Sequence, residues 1–194
     1  MSEAGARGWT ATARRACFAG LVSSLLCASM AFAQSRGLSS LDRLARYDWD
    51  IEHFGLTNVV ERDLKKAYRR GIEDLKDGNC RDAAHKFEFI LEHIDDDATI
   101  YYVAATAARC MRAFRSAAGY YESSIEFEPT NYEAHRFLGV SRLALGEIEE
   151  ANDVLASLDL ERIECGDACA PGLEEAYAGL RGALEVVQEG PVAE

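Results

Sequence analysis

The chain has 194 residues, of which 33 are acidic and 21 basic, so its formal net charge is −12. About 48% of the residues are apolar and 28% charged, which is the balance of a soluble globular protein rather than of a disordered chain or a multi-span membrane protein. The negative charge would repel a phosphate backbone, so nucleic acid is excluded as an expected partner. Only three prolines occur, which favours long helices over a loop-rich sandwich.

Residues 1–33 have the pattern of a cleavable signal peptide. Three arginines precede an apolar run over residues 16–30, and the run is interrupted by serines. It falls short of the roughly 20 continuous apolar residues that a membrane span needs. The sequence Ala-Phe-Ala at residues 31–33 matches a signal-peptidase site. We therefore expect cleavage between Ala33 and Gln34, and no membrane span.

Removal of this peptide from the 194 residues leaves 161, with 18 basic and 32 acidic side chains and four of the six cysteines. The four are Cys80, Cys110, Cys165 and Cys169. An even number of cysteines in an exported chain indicates disulfides before catalytic thiols. Asn-x-Ser/Thr glycosylation sites and a retention signal are both absent from the sequence. We expect the periplasm as the location.

An internal repeat of 34 residues covers most of the remaining chain. A small residue recurs at Gly71, Ala105 and Gly139. An alanine recurs twelve residues later, at Ala83, Ala117 and Ala151. A large apolar residue follows four residues after each alanine, at Phe87, Tyr121 and Leu155. Apolar residues within each unit recur at three- and four-residue spacing in two stretches, which predicts two amphipathic helices per unit. Gly78 and Gly146 stand where the first helix of a unit would end.

This pattern of small residue, alanine, aromatic residue and closing proline resembles the tetratricopeptide repeat (TPR). We assign repeats to 64–97, 98–131 and 132–165, and Pro129 is the one closing proline of the pattern. Asp74, Ala108 and Arg142 stand where the repeat pattern has an aromatic residue. The resemblance implies an all-α fold, a TPR-type α-solenoid of three helix-turn-helix repeats. The chain is similar in layout to small exported TPR proteins of Gram-negative bacteria.

Both flanks of the repeats carry apolar patterns. Residues 166–194 contain a helix after Pro171 with one apolar stripe, which predicts a capping helix over the last repeat. Residues 34–63 form an extension that we expect to be partly helical. Within it Trp49, Ile51 and Phe54 could dock on the first repeat, and a loose tail is the alternative.

The cysteines are the residues with the clearest chemistry. Cys165 and Cys169 lie between the third repeat and the cap, where a local disulfide is expected; a redox pair and a metal site are the alternatives. Cys80 and Cys110 fall on the same edge of adjacent hairpins in a stacked solenoid. Their pairing is the simplest of three connectivities for four cysteines. No phosphate loop, nucleophile elbow or metal-ligand spacing is found, so we expect no enzyme activity and no cofactor.

The TPR resemblance implies that the first helices form a concave wall that accepts a peptide or a partner helix. The residues that this register places on the wall are Tyr68, Ile72, Tyr102, Thr106, Arg109, Arg136, Val140 and Leu143. The alternative is that several of them only pack between hairpins. The Lys, Asn and Arg set with which some TPR domains grip a C-terminal carboxylate is absent from the matching positions. We expect a non-enzymatic periplasmic interaction module or scaffold for an envelope protein or peptide, as a monomer or with weak self-association. A thiol-disulfide protein using Cys165 and Cys169, and a self-associating scaffold, are the alternatives.

Overall fold

The computed structural model describes residues 41–45, 49, 51 and 54–189. Every regular element in these residues is a helix. The seven long helices are α1 (Asn58–Asp77), α2 (Cys80–Leu91), α3 (Ala98–Cys110), α4 (Phe114–Phe127), α5 (Tyr132–Leu145), α6 (Ile148–Cys165) and α7 (Pro171–Glu189). Residues 41–44 are also helical, and a 3₁₀ turn, Gly166–Ala168, precedes α7. The predicted signal peptide and its cleavage site lie outside the described residues.

The helices pair as three antiparallel hairpins, α1–α2, α3–α4 and α5–α6, and each hairpin packs on the next. Helix α7 then packs on both α5 and α6. This architecture confirms the predicted all-α solenoid of three helix-turn-helix repeats with a C-terminal helix. Helix α1 begins at Asn58, upstream of the predicted repeat boundary at Leu64.

The recurring small residue lets helices approach closely, but its neighbour changes along the stack. A Cβ atom on Gly71 would lie 2.6 Å from the ring of Phe87, so α1 and α2 touch through a glycine. A Cβ atom on Gly139, the equivalent residue of the third repeat, would lie 2.5 Å from Leu180 of α7. The third repeat therefore uses the same position to receive the C-terminal helix, and Leu155 stays half-buried.

The turns inside the hairpins share one backbone conformation. Gly78 and Gly146 both adopt a positive φ of 79°, and Arg112 at the matching place in the second repeat has φ 62°. In each turn two successive N–H groups return to carbonyls at the end of the first helix, which is the usual glycine-ended helix cap. For Arg112 this left-handed conformation costs about 1–2 kcal/mol.

Two apolar clusters share the core. One joins the first two repeats to Phe137, Leu138 and the N-terminal residues Leu41, Trp49 and Ile51. The other joins the third repeat to α7. In the part of the chain that the structure describes, the helices lack the combination of length and apolar character that crossing a bilayer demands.

Both expected cysteine pairs are at disulfide distance. The Cα atoms of Cys80 and Cys110 are 5.7 Å apart and join the start of α2 to the end of α3. Those of Cys165 and Cys169 are 5.0 Å apart and span the turn that leads into α7. One pair thus links the first two repeats, and the other lies where the cap begins.

Candidate partner-binding cleft

The first helices α1, α3 and α5 build one face of the stack, which we call the groove wall. The eight residues predicted for a partner-binding groove lie on these three helices. Five of them are buried: Tyr68, Ile72, Tyr102, Thr106 and Arg136. The buried residues pack within the chain, as the alternative of packing between hairpins expects, and sequence reasoning missed that Trp49 would stack on Tyr68 of the wall.

The start of the described chain lies against one end of the groove wall. We call residues 41–45, 49, 51 and 54 the N-terminal segment. Trp49 and Ile51 are 3% and 0% exposed, and the indole stacks on the Tyr68 ring with 5.3 Å between centroids. Leu41 is buried in the same cluster as Tyr68 and Ile72. The segment therefore occupies the wall of the first repeat.

Polar contacts extend this attachment toward the second repeat. The Trp49 indole N–H donates a hydrogen bond to Asp97 Oδ2 at 2.8 Å, and Asp97 also caps α3 through the N–H of Thr99. Lys76 Nζ of α1 donates to Asp42 Oδ1 at 2.6 Å. The N-terminal segment is thus held by groups from α1 and from the residue that begins α3.

Helix α7 covers the other end of the groove wall. Val140 and Leu143, two predicted groove residues, pack against the cluster that contains the buried leucines of α7. A Cβ atom on Gly179 would lie 2.8 Å from Arg136 Cδ, so α7 crosses α5 at a glycine. The cap therefore packs over the wall and does not merely close the end of the stack.

An open cleft of about 630 Å³ remains between the two covers. It is lined by Arg43, Leu44, Thr99, Tyr102, Glu128, Thr130, Asn131, Tyr132, Glu133, Arg136, Ala170, Gly172, Glu175 and Ala176. These residues come from the N-terminal segment, from α3 and α5, and from α7 and the turn before it. Three carboxylates and two guanidinium groups are among them, so the cleft combines apolar side chains with a small excess of negative charge.

Glu133 is the charged centre of this cleft. The Tyr102 hydroxyl donates to its Oε2 at 3.3 Å, and Arg43 Nη2 lies 3.6 Å from the same oxygen. Arg136 Nη2 lies 3.6 Å from Oε1 and is almost fully buried, with its guanidinium 4.1 Å from the centre of the Phe137 ring. Within the described residues the buried Arg136 Nε has no hydrogen-bond partner.

Two other predicted groove residues act inside the stack. Thr106 Oγ1 donates to the Tyr102 carbonyl at 2.9 Å, and Arg109 Nε donates to the Tyr121 hydroxyl at 3.3 Å. The Arg109 guanidinium lies 4.2 Å from the centre of the Phe137 ring, so Arg109 packs between hairpins.

The sequence analysis did not identify Glu133 as the charged centre of the cleft. Glu133 lies in the first turn of α5, at the repeat position that Thr99 has in α3, and this position is the signal that could have identified it.

One hydrogen bond beside the cleft joins the two helices of the third repeat. The Tyr132 hydroxyl donates to Glu161 Oε1 at 2.5 Å, and this bond, with burial and the nearby negative charge, raises the pKa of Tyr132 above its ordinary value. Tyr132 is therefore uncharged at neutral pH, and its hydroxyl links α5 to α6 through this hydrogen bond. No three His, Cys, Asp or Glu side chains within the described ranges come close enough together to hold a metal ion.

Comparison with solved structures places this fold among TPR domains. The second TPR domain of human RPAP3, solved with an HSP70 peptide, is similar to this chain with a TM-score of 0.51 and 16% sequence identity. The similarity covers 62% of this chain and 97% of the RPAP3 chain. The TPR2B domain of yeast Sti1, solved in a complex with pHsp70, is similar over 62% of this chain and 98% of that one, at 18% identity with a TM-score of 0.50.

A T3SS complex from Aeromonas hydrophila contains a chain that is similar at 21% identity, over 65% of this chain and 81% of that one, with a TM-score of 0.56. No protein-family model and no curated protein matches the sequence. At these identities the likeness shows the fold alone. The chain has the fold of TPR domains, two of which were solved with peptide or protein partners.

Proposed function

We propose that this protein is a non-enzymatic interaction module that binds a segment of a partner protein in the cleft between the N-terminal segment and α7. The observation that carries the proposal is the cleft itself, which has about 630 Å³ of open space between the N-terminal segment and α7. Its rim carries the exposed carboxylates of Glu128 and Glu175, which form no ion pair within the described residues. A bound segment would find these charges available.

Charge favours a basic partner segment. The cleft has three carboxylates against two guanidinium groups, and the whole chain has a formal charge of −12. Negative surroundings steer positively charged partners and repel acidic ones. The positions that would grip a C-terminal carboxylate include Tyr68, Ile72 and Glu133, in place of the Lys, Asn and Arg side chains that such a grip uses. We therefore propose an internal, basic stretch of the partner as ligand, instead of an acidic chain end.

We also propose that the protein works in the periplasm after cleavage between Ala33 and Gln34. Two cysteine pairs at disulfide distance support an oxidising compartment. An N-terminal sequence beginning at Gln34 in protein recovered from the periplasm is the expected result. Full-length protein retained in the cytoplasm would contradict the proposal.

Site-specific photo-crosslinking in cells tests the binding proposal. A crosslinking amino acid replaces Thr130 at the cleft rim or, as the control, Asp153 on the outer helix α6; both side chains are exposed. We expect a specific adduct from position 130 and none of the same mass from position 153. An adduct from both positions would contradict a site in the cleft.

Charge reversal then tests which side chains recognise the partner. We expect Glu128→Lys together with Glu175→Lys to weaken formation of the position-130 adduct at least about tenfold, because opposite charges in an interface become like charges. Glu149→Lys with Glu150→Lys makes the same change of charge on the exposed side of α6 and should leave the adduct intact. Equal loss in both double variants would point to net charge rather than to the cleft.

A further inference from the structure

The N-terminal segment lies on the groove wall in the way that a bound peptide would. We propose that it is an internal ligand of the wall, and that the partner segment that enters the cleft has the same chemistry and extends along the wall in its place. Such a partner carries a leucine, an arginine two residues later, and an aromatic residue further along. This inference rests on the proposed function, because it names the class of segment that the groove accepts.

The apolar part of this chemistry comes from Leu41 and Trp49. Leu41 is buried in a cluster with Tyr68 and Ile72, and Trp49 stacks on Tyr68 while its indole N–H bonds to Asp97. The wall of the first repeat thus offers a place for an aliphatic side chain and a place for an aromatic ring with one polar edge. Buried aromatic anchors with a satisfied N–H are typical of residues that dominate recognition.

The charged part comes from Arg43. Its side chain is 73% exposed, and its Nη2 lies 3.6 Å from Glu133 Oε2 in the third repeat. Arg43 and Leu44 also line the open cleft, so the segment and a ligand in the cleft would share one continuous surface. The chain thus supplies to Glu133 the positive charge that we propose for the partner.

The contacts that hold the N-terminal segment are of a kind that another segment can replace. Among the described residues, its backbone–backbone hydrogen bonds stay within the segment, from Ala45 to Leu41 and from Phe54 to Ile51. Each of its two ion pairs includes one exposed side chain, Arg43 or Asp42, and exposed pairs contribute little to stability. Gly55 follows with φ 65° and has no heavy atom within 4 Å of where a Cβ would stand. The segment can therefore leave the wall while the helices keep all their own backbone bonds.

A fluorescein-labelled peptide with the sequence of residues 38–56 of this chain tests the inference by fluorescence anisotropy with the full chain. In the wild type the covalently attached segment competes at an effective concentration of about millimolar, so the peptide should bind weakly. Leu41→Asp in the full chain weakens the contact of the attached segment with the wall. We therefore expect the Leu41→Asp chain to bind the peptide at least about tenfold more tightly than the wild type does. Val186→Asp, an equally abrupt change at an exposed residue of α7, should bind as the wild type does.

Two further measurements separate opening of the segment from general unfolding. In the chain that begins at Gln34, Trp49 is the one tryptophan of the sequence, and its emission should shift to the red in the Leu41→Asp variant. Helical circular dichroism should be unchanged. Trp49→Ala, which removes the contact with Tyr68, should increase peptide binding in the same way.

Equal binding of the peptide by the wild type and the Leu41→Asp chain, or no binding by either, would overturn the inference. A peptide carrying Asp at position 41 and Glu at position 43 should fail to bind, and tight binding of that peptide would also overturn it. If the peptide fails while the adduct from position 130 persists, the inference falls and the proposed function stands. If the peptide binds but that adduct never forms in cells, the proposed function fails independently.

Discussion

The two ends of the groove wall are covered by parts of the same chain, but they are covered in different ways. Helix α7 is 19 residues long and buries Leu173, Ala176, Leu180 and Leu184 against the third repeat. It approaches α5 through Gly139 on one helix and Gly179 on the other. The N-terminal segment buries Leu41, Trp49 and Ile51, and its polar contacts with the wall are side-chain hydrogen bonds and ion pairs.

This difference separates a structural cover from a replaceable one. A helix whose side chain fits against a bare glycine cannot leave without opening a gap in the core, since protein interiors are close-packed. A segment whose backbone–backbone hydrogen bonds are its own, and whose backbone accepts one further bond from the Tyr68 hydroxyl at the Leu44 carbonyl, can leave with a small local loss. The fold thus closes one end of its wall permanently and leaves the other end, next to the open cleft, for exchange.

The largest effect should come from breaking the structural cover. Leu180→Ala removes a fully buried side chain that lies against Gly139, and we expect the free energy of unfolding to fall by about 2–5 kcal/mol. Urea denaturation followed by circular dichroism measures this change. The control is Leu160→Ala on α6, where the side chain is 59% exposed and the loss should stay below about 0.5 kcal/mol. Equal losses would show that α7 does not stabilise the third repeat.

Much of the structural cover could be predicted from sequence. The apolar stripe of α7 follows from helical spacing, and Gly78 and Gly146 mark the ends of the first helices because they adopt a positive φ. Local patterns of this kind report the elements and their buried faces directly. They do not say against which neighbour a face packs, so the contact of Gly139 with Leu180 in place of the α6 residue Leu155 was not predicted.

The replaceable cover was much harder to predict. Trp49 and Ile51 suggested docking on the first repeat, but a loose tail remained an equal alternative. A few apolar residues without helical spacing are compatible with a docked segment and with a loose tail alike. The contact of Arg43 with Glu133 joins residues that are far apart in the sequence and have no shared pattern. Repeat register identified the wall residues, whereas only the fold shows that the chain covers them itself.

The second prediction concerns the covalent link before α7. Cys165 and Cys169 close a short loop with a sequence separation of 4, for which chain entropy gives a stabilisation of about 2 kcal/mol. The double variant Cys165→Ser, Cys169→Ser should lose about that amount and should exchange the amide hydrogens of α7 faster. Cys80→Ser with Cys110→Ser is the matched control, because it should speed exchange in α2 and α3 instead. Unchanged exchange in α7 would show that the loop does not hold the cap.

The smallest expected effect tests whether the N-terminal segment opens as one unit. Leu41→Ala and Trp49→Ala each remove a buried contact with the wall, and each should cost less than about 2 kcal/mol, below the loss for Leu180→Ala, because detachment of the segment limits the loss. For the same reason the double variant should cost little more than either single variant, a non-additivity that denaturant unfolding can measure. Additive losses as large as those of a core leucine would mean that the segment is as permanent as α7. The comparison between the two ends of the wall would then be wrong, since both covers would belong to one cooperative core.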